Sequence, residues 1–416
     1  MGQFGIGQPV RRTEDERLLT GRAAFLDDIN VEGQAAAALV RSPHAHALVK
    51  GIDSAAAHGP GVLAIYTGRD IAEAGFGPLP CIADAMVPFT RKDGSKRFFP
   101  ERSALAVSRV SHVGDPVAIV IAETAALARE AAEAVAVDYE PLPAVTDTAT
   151  ATDEGTPQIW EEAPRNIALD WAQGDAAATE AAFAEAAHIT SLDLVNNRVI
   201  CASIETRGAI GAWDAGAERY TLTVNTQNVH QSRDVLAQIL GVDPQSVRVV
   251  SSDVGGAFGM KGFVYPEYPL LLWAAKQLGR PVKWSSDRAE AFVTDTQGRD
   301  HVTRAELALD KAHKFLALRV STIANLGAYA GQFGPGVPTL LYTRMLPGIY
   351  TIPALHAEVA AVLTNTVCVD AYRGAGRPEA AYVIERIIDK AARELGLSPA
   401  ELRRSNFISP SAMPFT

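Results

Sequence analysis

The chain has 416 residues, 48% hydrophobic and 21% charged, a composition that excludes disorder and leaves room for two or three domains around a large core. Its 48 acidic and 38 basic residues give a net charge of -10, which excludes a general nucleic-acid binder, since that needs a basic face to displace counterions. Three widely spaced cysteines, Cys81, Cys201 and Cys368, exclude a disulfide framework and an ordinary four-thiolate iron–sulfur cluster, and fit a reducing cytoplasm.

In the opening Met1–Ile6, Ile6 stands where a myristoylation signal needs Ser or Thr. Arg11-Arg12 is followed by Thr13-Glu14-Asp15-Glu16-Arg17 rather than an apolar stretch, which argues against export, so a cytoplasmic location is expected. From about Arg22 to Val145 the pattern mixes strand and helix. Gln34–Arg41 reads as a buried strand, and Pro116–Ala122, rich in β-branched residues, as a stronger one. Glu123–Val135 predicts a helix with Leu127, Ala131 and Ala134 on one face, and the prolines of Asp138–Pro143 close the unit. Polar, threonine-rich Asp147–Thr156 reads as a linker.

Beyond it, Leu222–Thr226 predicts a strand, and Val229–Leu240 a helix stopped by Gly241. Val247–Val250 is a strand running into a glycine-rich turn. Tyr268–Ala275 is the longest apolar run, yet Lys276 follows at once, so no membrane span is expected. His301–Asp310 alternates like a half-buried strand. Pro378 suits a first helical position, with Ile384, Ile387, Ile388, Ala391 and Leu395 at helical spacing before Gly396. Ser398 and Glu401 have capping-box spacing.

Three stretches can carry chemistry. In Asp253–Gly262, four glycines follow a strand, so the backbone can approach a ligand and aim its N–H groups at an anion. The P-loop and dinucleotide spacings do not fit, and the plainer reading is a tight turn. In Ala371–Glu379, two glycines lie between Arg373 and Arg377 just before a helix start, where guanidinium forks and a helix N-terminus both suit phosphate; the plainer reading is a loop with solvated arginines. In Asn225–Gln231, Thr226 or Asn228 can simply cap a helix, while a neutral amide such as Gln227 can donate to a metal-bound oxo group. His44 and His46, two apart, would share one face of a strand, but no third ligand pattern follows; they read as surface or interface histidines, and His112 as structural.

Together these segments resemble the molybdenum-cofactor subunit of the xanthine dehydrogenase, aldehyde oxidase and carbon monoxide dehydrogenase family. The similarity covers almost the whole chain: Arg17–Arg22, Asp27–Ile29 and Val40–Ala45 at the opening, Val113–Ala118 and Val137–Pro143 in a hammerhead domain, then Thr226-Gln227, Gly255–Gly259 and Tyr372–Arg377. The resemblance implies an α+β fold, with an N-terminal segment and α/β hammerhead domain over residues 1–146 and a first molybdopterin-binding domain over 147–416. It implies that Gln227 approaches the oxo group and the pterin. Gly255, Gly256, Ala257, Phe258 and Gly259 would line the pterin and metal centre, with Tyr372, Arg373, Gly374 and Ala375 on its other side. The cofactor implied is molybdopterin cytosine dinucleotide with molybdenum. The reaction implied is hydroxylation of an electron-poor C–H carbon, in an N-heteroaromatic compound or an aldehyde, with water-derived oxygen. Electrons would pass to a 2Fe–2S subunit and an FAD subunit.

Two departures narrow this. The family's full-length subunit is almost twice as long, and its missing half carries the general base. Glu205, Glu267 and Glu379 do not match that base, so none is assigned in this chain. The resemblance therefore points to the larger half of a split subunit, as in nicotinate dehydrogenase, needing a second molybdenum-subunit half. Gly374-Ala375 stands where carbon monoxide dehydrogenase carries its copper-binding cysteine, and Gly262 where xanthine-oxidising members carry a purine-recognising glutamate. Both argue against those substrates. The other readings are a non-catalytic scaffold or cofactor-assembly protein, and a truncated piece of a full-length enzyme.

Overall fold

The computed structural model describes residues 7–87, 89–251 and 253–414. The reading made of Met1–Ile6 lies outside the described residues.

Two large sheets organise the chain. The first has seven strands in the order Val247–Ser251, Arg219–Val224, Gly208–Asp214, Val282–Ser285, Ala35–Arg41, Pro116–Ala122 and Val62–Thr67. Pro116–Ala122 is buried along its whole length, as expected of an apolar run sandwiched between layers. Ile119 and Ile121 are fully buried in it, and each contributes about 1.5–3 kcal/mol of burial free energy. The sheet draws strands from both sides of residue 146, because Ala35 pairs in parallel with Val282. Helix Glu267–Leu278 covers the sheet so closely that a Cβ on Gly211 would lie 2.5 Å from the Leu271 backbone.

The second sheet has five strands, Ile167–Gly174, Ala354–Leu363, Phe315–Gly327, His301–Leu309 and His188–Asn196. Helix Arg377–Glu394 buries Ile384, Ile387, Ile388 and Ala391 against it, as the apolar spacing requires. A small third sheet joins Arg109–Val110, Ala47–Asp53 and Ala136–Pro141.

The structure refines some expectations and corrects others. Asp147–Thr156, read as a linker, has six of its ten residues exposed but is anchored: Ala151 is buried, Thr148 donates to Asp300 at 2.7 Å, and just before the segment Asn365 and Val145 exchange bonds of 2.6 and 3.0 Å. Asp138–Pro143 closes the unit as expected, with pairing ending at its first proline. Its first four residues lie in an edge strand, where Pro141 ends the pairing without a neighbour on its free side. His44 and His46 lie in a loop between strands, and His46 is buried with Nδ1 2.7 Å from the Pro143 carbonyl. Pro378 is the second helical residue, after Arg377. Ser398 caps helix Pro399–Asn406 without a side-chain hydrogen bond, so the capping box does not form.

Candidate cofactor site

Parallel strands bring two of the three stretches together. Arg219–Val224 and Val247–Ser251 run side by side with Val224 opposite Ser251, so the chain leaves both at one sheet edge. Ligands favour the carboxyl ends of such strands. From the first strand comes Asn225–Asn228, from the second the glycine loop. Asn228 caps helix Val229–Leu240 by accepting from the Gln231 N–H, which is the plainer role foreseen for it. Gln227 does something else: its Oε1 accepts from the Gly259 N–H at 2.9 Å, and its own N–H donates to the Lys261 carbonyl at 3.0 Å. With its oxygen used, the exposed Gln227 amide offers its NH2 group, a pure donor.

The third stretch arrives from the other sheet. The Arg373 N–H donates to the Phe258 carbonyl at 2.8 Å, and a Cβ on Gly259 would lie 2.6 Å from the Ala371 carbonyl oxygen. Gly259 has φ of +102°, so glycine is required there on two counts. Phe258 itself holds φ of +52° and is 41% exposed, an uncommon conformation that presents an aromatic ring at the surface. Gln227, Gly255–Gly259 and Arg373 therefore form one junction.

Within it the N–H groups are unequally used. Gly255 donates to Glu205 Oε2 at 2.8 Å and Gly259 to Gln227. Between them, the Gly256, Ala257 and Phe258 N–H groups have no acceptor among the described residues. Three successive unpaired amides form a concavity suited to an anion, and one of them belongs to buried Ala257. The Arg373 guanidinium is exposed and has no carboxylate within 4.0 Å among the described residues. These donors fit a phosphate-bearing pterin cofactor. Gly374, at φ of +95°, is exposed beside them, whereas Ala375 is buried and Tyr372 turns inward, its Cβ side packing on Gly298.

The supports of the junction were not legible as such. Glu205 accepts from the N–H groups of Gly255 and Leu26 and from Lys261 Nζ at 3.0 Å. Burial pushes the Lys261 ammonium down, against the Glu205 hydrogen bond that holds it up. Arg17 and the Ala24 N–H hold Asp253 at the loop's start and keep its carboxyl at about 2. Arg299 donates to the carbonyls of Tyr372 and Arg373 at 3.0 and 2.9 Å and to Glu379 Oε1 at 3.0 Å. Arg299 and Asp300 both have φ of +68°, strain concentrated where the chain must turn under the Arg373 loop. The only outward sign in sequence is a glycine, Gly298, followed by three ionisable residues.

The three glutamates near the loops in sequence are all engaged. Glu205 holds the loop, Glu379 holds Arg299, and Glu267 is buried between Arg207 and Arg41 at 3.0 and 2.7 Å. Burial alone would raise Glu267, but the two guanidinium charges keep its carboxyl at about 2.

A family model for the molybdopterin cofactor-binding domain matches residues 159–407, and one for the aldehyde oxidase and xanthine dehydrogenase a/b hammerhead domain matches 20–143. The chain belongs to the molybdenum-cofactor-binding family of aldehyde oxidases and xanthine dehydrogenases, with the α+β hammerhead-then-cofactor-domain architecture its motifs suggested. It is 36% identical over 416 residues to 6-hydroxypseudooxynicotine dehydrogenase complex subunit gamma of Paenarthrobacter nicotinovorans, covering 100% of this chain and 51% of that one. The structure of CO dehydrogenase from Oligotropha carboxidovorans superposes with a TM-score of 0.90 at 32% identity, covering 99% of this chain and 51% of that one. The nicotinate dehydrogenase large molybdopterin subunit of Eubacterium barkeri is 26% identical over 328 residues, which is 78% of this chain and 75% of that one. The chain spans about half the length of the first two.

Proposed function

We propose that this chain is the larger half of a split molybdenum hydroxylase subunit, acting on an electron-poor C–H carbon of an N-heteroaromatic compound or an aldehyde. The observation that carries the reading is the run of unpaired N–H groups at Gly256–Phe258, held against Gln227 and Arg373 by direct hydrogen bonds. Molybdopterin cytosine dinucleotide with molybdenum would supply the two-electron oxidation and activate water as the oxygen source. The chain's own residues bind and orient it. Gly255 and Gly259 anchor the loop so that the Gly256, Ala257 and Phe258 N–H groups receive anionic oxygens, Gln227 donates from its NH2 group, and Arg373 with exposed Gly374 closes the opposite side. Tyr372 and Ala375 contribute from beneath, by packing.

Proton removal belongs to a group outside this chain, since Glu205, Glu267 and Glu379 are each committed to an ion pair. The partners are then a second molybdenum-subunit half, a 2Fe–2S subunit and an FAD subunit, in the cytoplasm. Residues 1–146 and 147–416 are read as two modules joined through one sheet. No helix among the described residues is long and apolar enough to cross a membrane.

The test is metal and nucleotide analysis of the natively purified complex, with each subunit identified by mass. Molybdenum, cytidine nucleotide and a second molybdenum-binding chain are expected. A complex with neither the metal nor that chain refutes the reading.

A further inference from the structure

A cavity of about 400 Å³ lies where residues 78–81, Asp84 and residues 97–102 meet residues 263–265, 329–332 and Asp370. It shares no lining residue with Gln227, Gly255–Gly259 or Arg373. Its size falls in the range of small-molecule sites, and it sits between two parts of the fold, where such sites concentrate. Phe98, Phe99 and Phe263 supply flat apolar wall.

The polar groups around it are almost all spent. Arg97 is neutralised by Asp84, with Nε at 2.6 Å. The Gln332 amide is used by the Val264 N–H and carbonyl at 3.2 and 2.8 Å. The Tyr265 hydroxyl donates to the Met260 carbonyl at 3.0 Å, and the Tyr329 hydroxyl to Asp115 at 3.1 Å. Asp370 accepts N–H bonds from Gln332, Phe333 and Ala371 at 2.8, 3.1 and 2.8 Å.

Arg102 is the exception. It has no carboxylate within 4.0 Å among the described residues, although Asp84 and Glu101 also line the cavity. Its guanidinium lies over the Tyr329 ring at 5.3 Å, and one N–H reaches Cys368 Sγ at 3.6 Å, a weak acceptor. Its Nε is buried with no acceptor among the described residues. A half-buried guanidinium left this poorly matched, with its Nε fully buried, calls for an anionic acceptor.

We propose that this cavity binds a small planar aromatic carboxylate, its ring against Phe98, Phe99 and Phe263 and its carboxylate on Arg102. A guanidinium fork matches a carboxylate bidentately, and flat apolar walls match a ring. A phosphate dianion suits the cavity less. Burial pushes the Asp370 carboxyl up to about 7, so near neutrality part of it is ionised and would repel a doubly charged guest more strongly.

The test uses calorimetric titration of the natively purified complex with benzoate and with benzamide, which share a ring and differ in charge. Benzoate is expected to bind at least tenfold more tightly than benzamide. Arg102→Met is expected to remove that preference while leaving weak benzamide binding unchanged, and Arg102→Lys, which keeps the charge but loses the fork, to fall between. Equal binding of the two probes by the wild-type complex, or no binding of either, overturns the proposal. So does full benzoate affinity in Arg102→Met. If that variant does not fold, the wild-type probe ratio and the lysine variant still decide. The readout is independent of molybdenum content, so its failure leaves the cofactor reading standing, and failure of that reading leaves this one to be tested.

Discussion

Two arginines mark two regions with opposite character. Arg207 is fully buried, and every side of it is answered: Asp295 at 2.5 Å, Glu267 and Thr294 at 3.0 Å, and the Tyr265 ring 3.6 Å beneath. Arg373 stands exposed, with no carboxylate within 4.0 Å among the described residues, next to amides that find no acceptor among them either. The first region satisfies itself internally and so serves the fold. The second leaves donors over, as the proposed cofactor role requires. Saturation of polar groups, rather than their number, is what distinguishes the two regions.

The comparison breaks if Arg207 proves dispensable. Arg207→Met leaves Glu267 and Asp295 with less compensation inside the core and is expected to destabilise the fold by about 3–5 kcal/mol in urea unfolding. A loss below about 1 kcal/mol would contradict the assignment. The same cluster sets an acid limit. Glu267 is held at about 2 against an ordinary 4.5, so its contribution is present above pH 4.5 and lost as pH falls towards 2. Unfolding midpoints from pH 6 to pH 3 are expected to fall in the wild type and to fall less in Glu267→Gln, which starts out less stable.

At the other region the readout changes from stability to cofactor retention. Gly259→Val places a branched side chain at φ of +102° and 2.6 Å from the Ala371 carbonyl, which forces the two loops apart. The natively purified complex is expected to lose at least tenfold in molybdenum content, with secondary structure intact by circular dichroism. Glu379→Gln is a smaller perturbation. It removes the charge that fixes Arg299 under the Tyr372 and Arg373 carbonyls, and a severalfold loss of molybdenum is expected, with Glu379→Asp retaining more than Glu379→Gln.

How much of this could be read in the residues depended on range. Helix Val229–Leu240 and its Gly241 stop, at φ of 65°, appear as expected, because cap, period and left-handed terminator all lie within a short window. Strand His301–Leu309 was legible for the same reason. Gln227 and the two glycine loops were legible by their resemblance and their spacing. The rest needed contacts from afar. Glu205 meets Gly255 across 50 positions, and Arg299 meets Arg373 across 74, with no local pattern to announce either. Asp147–Thr156 reads as a linker because most of its polar residues do face water; the docking of Thr148 on Asp300, 152 positions away, has no local sign. The sheet that joins Ala35 to Val282 has no signature in either strand alone.

The most direct measurement is hydrogen–deuterium exchange of the Gly256, Ala257 and Phe258 amides in the natively purified complex, before and after the cofactor is stripped. If these groups grip an anionic cofactor, they exchange at least tenfold more slowly in the loaded complex, while the amides of helix Glu267–Leu278 are unaffected. Equal exchange at residues 256–258 in both states would contradict the account.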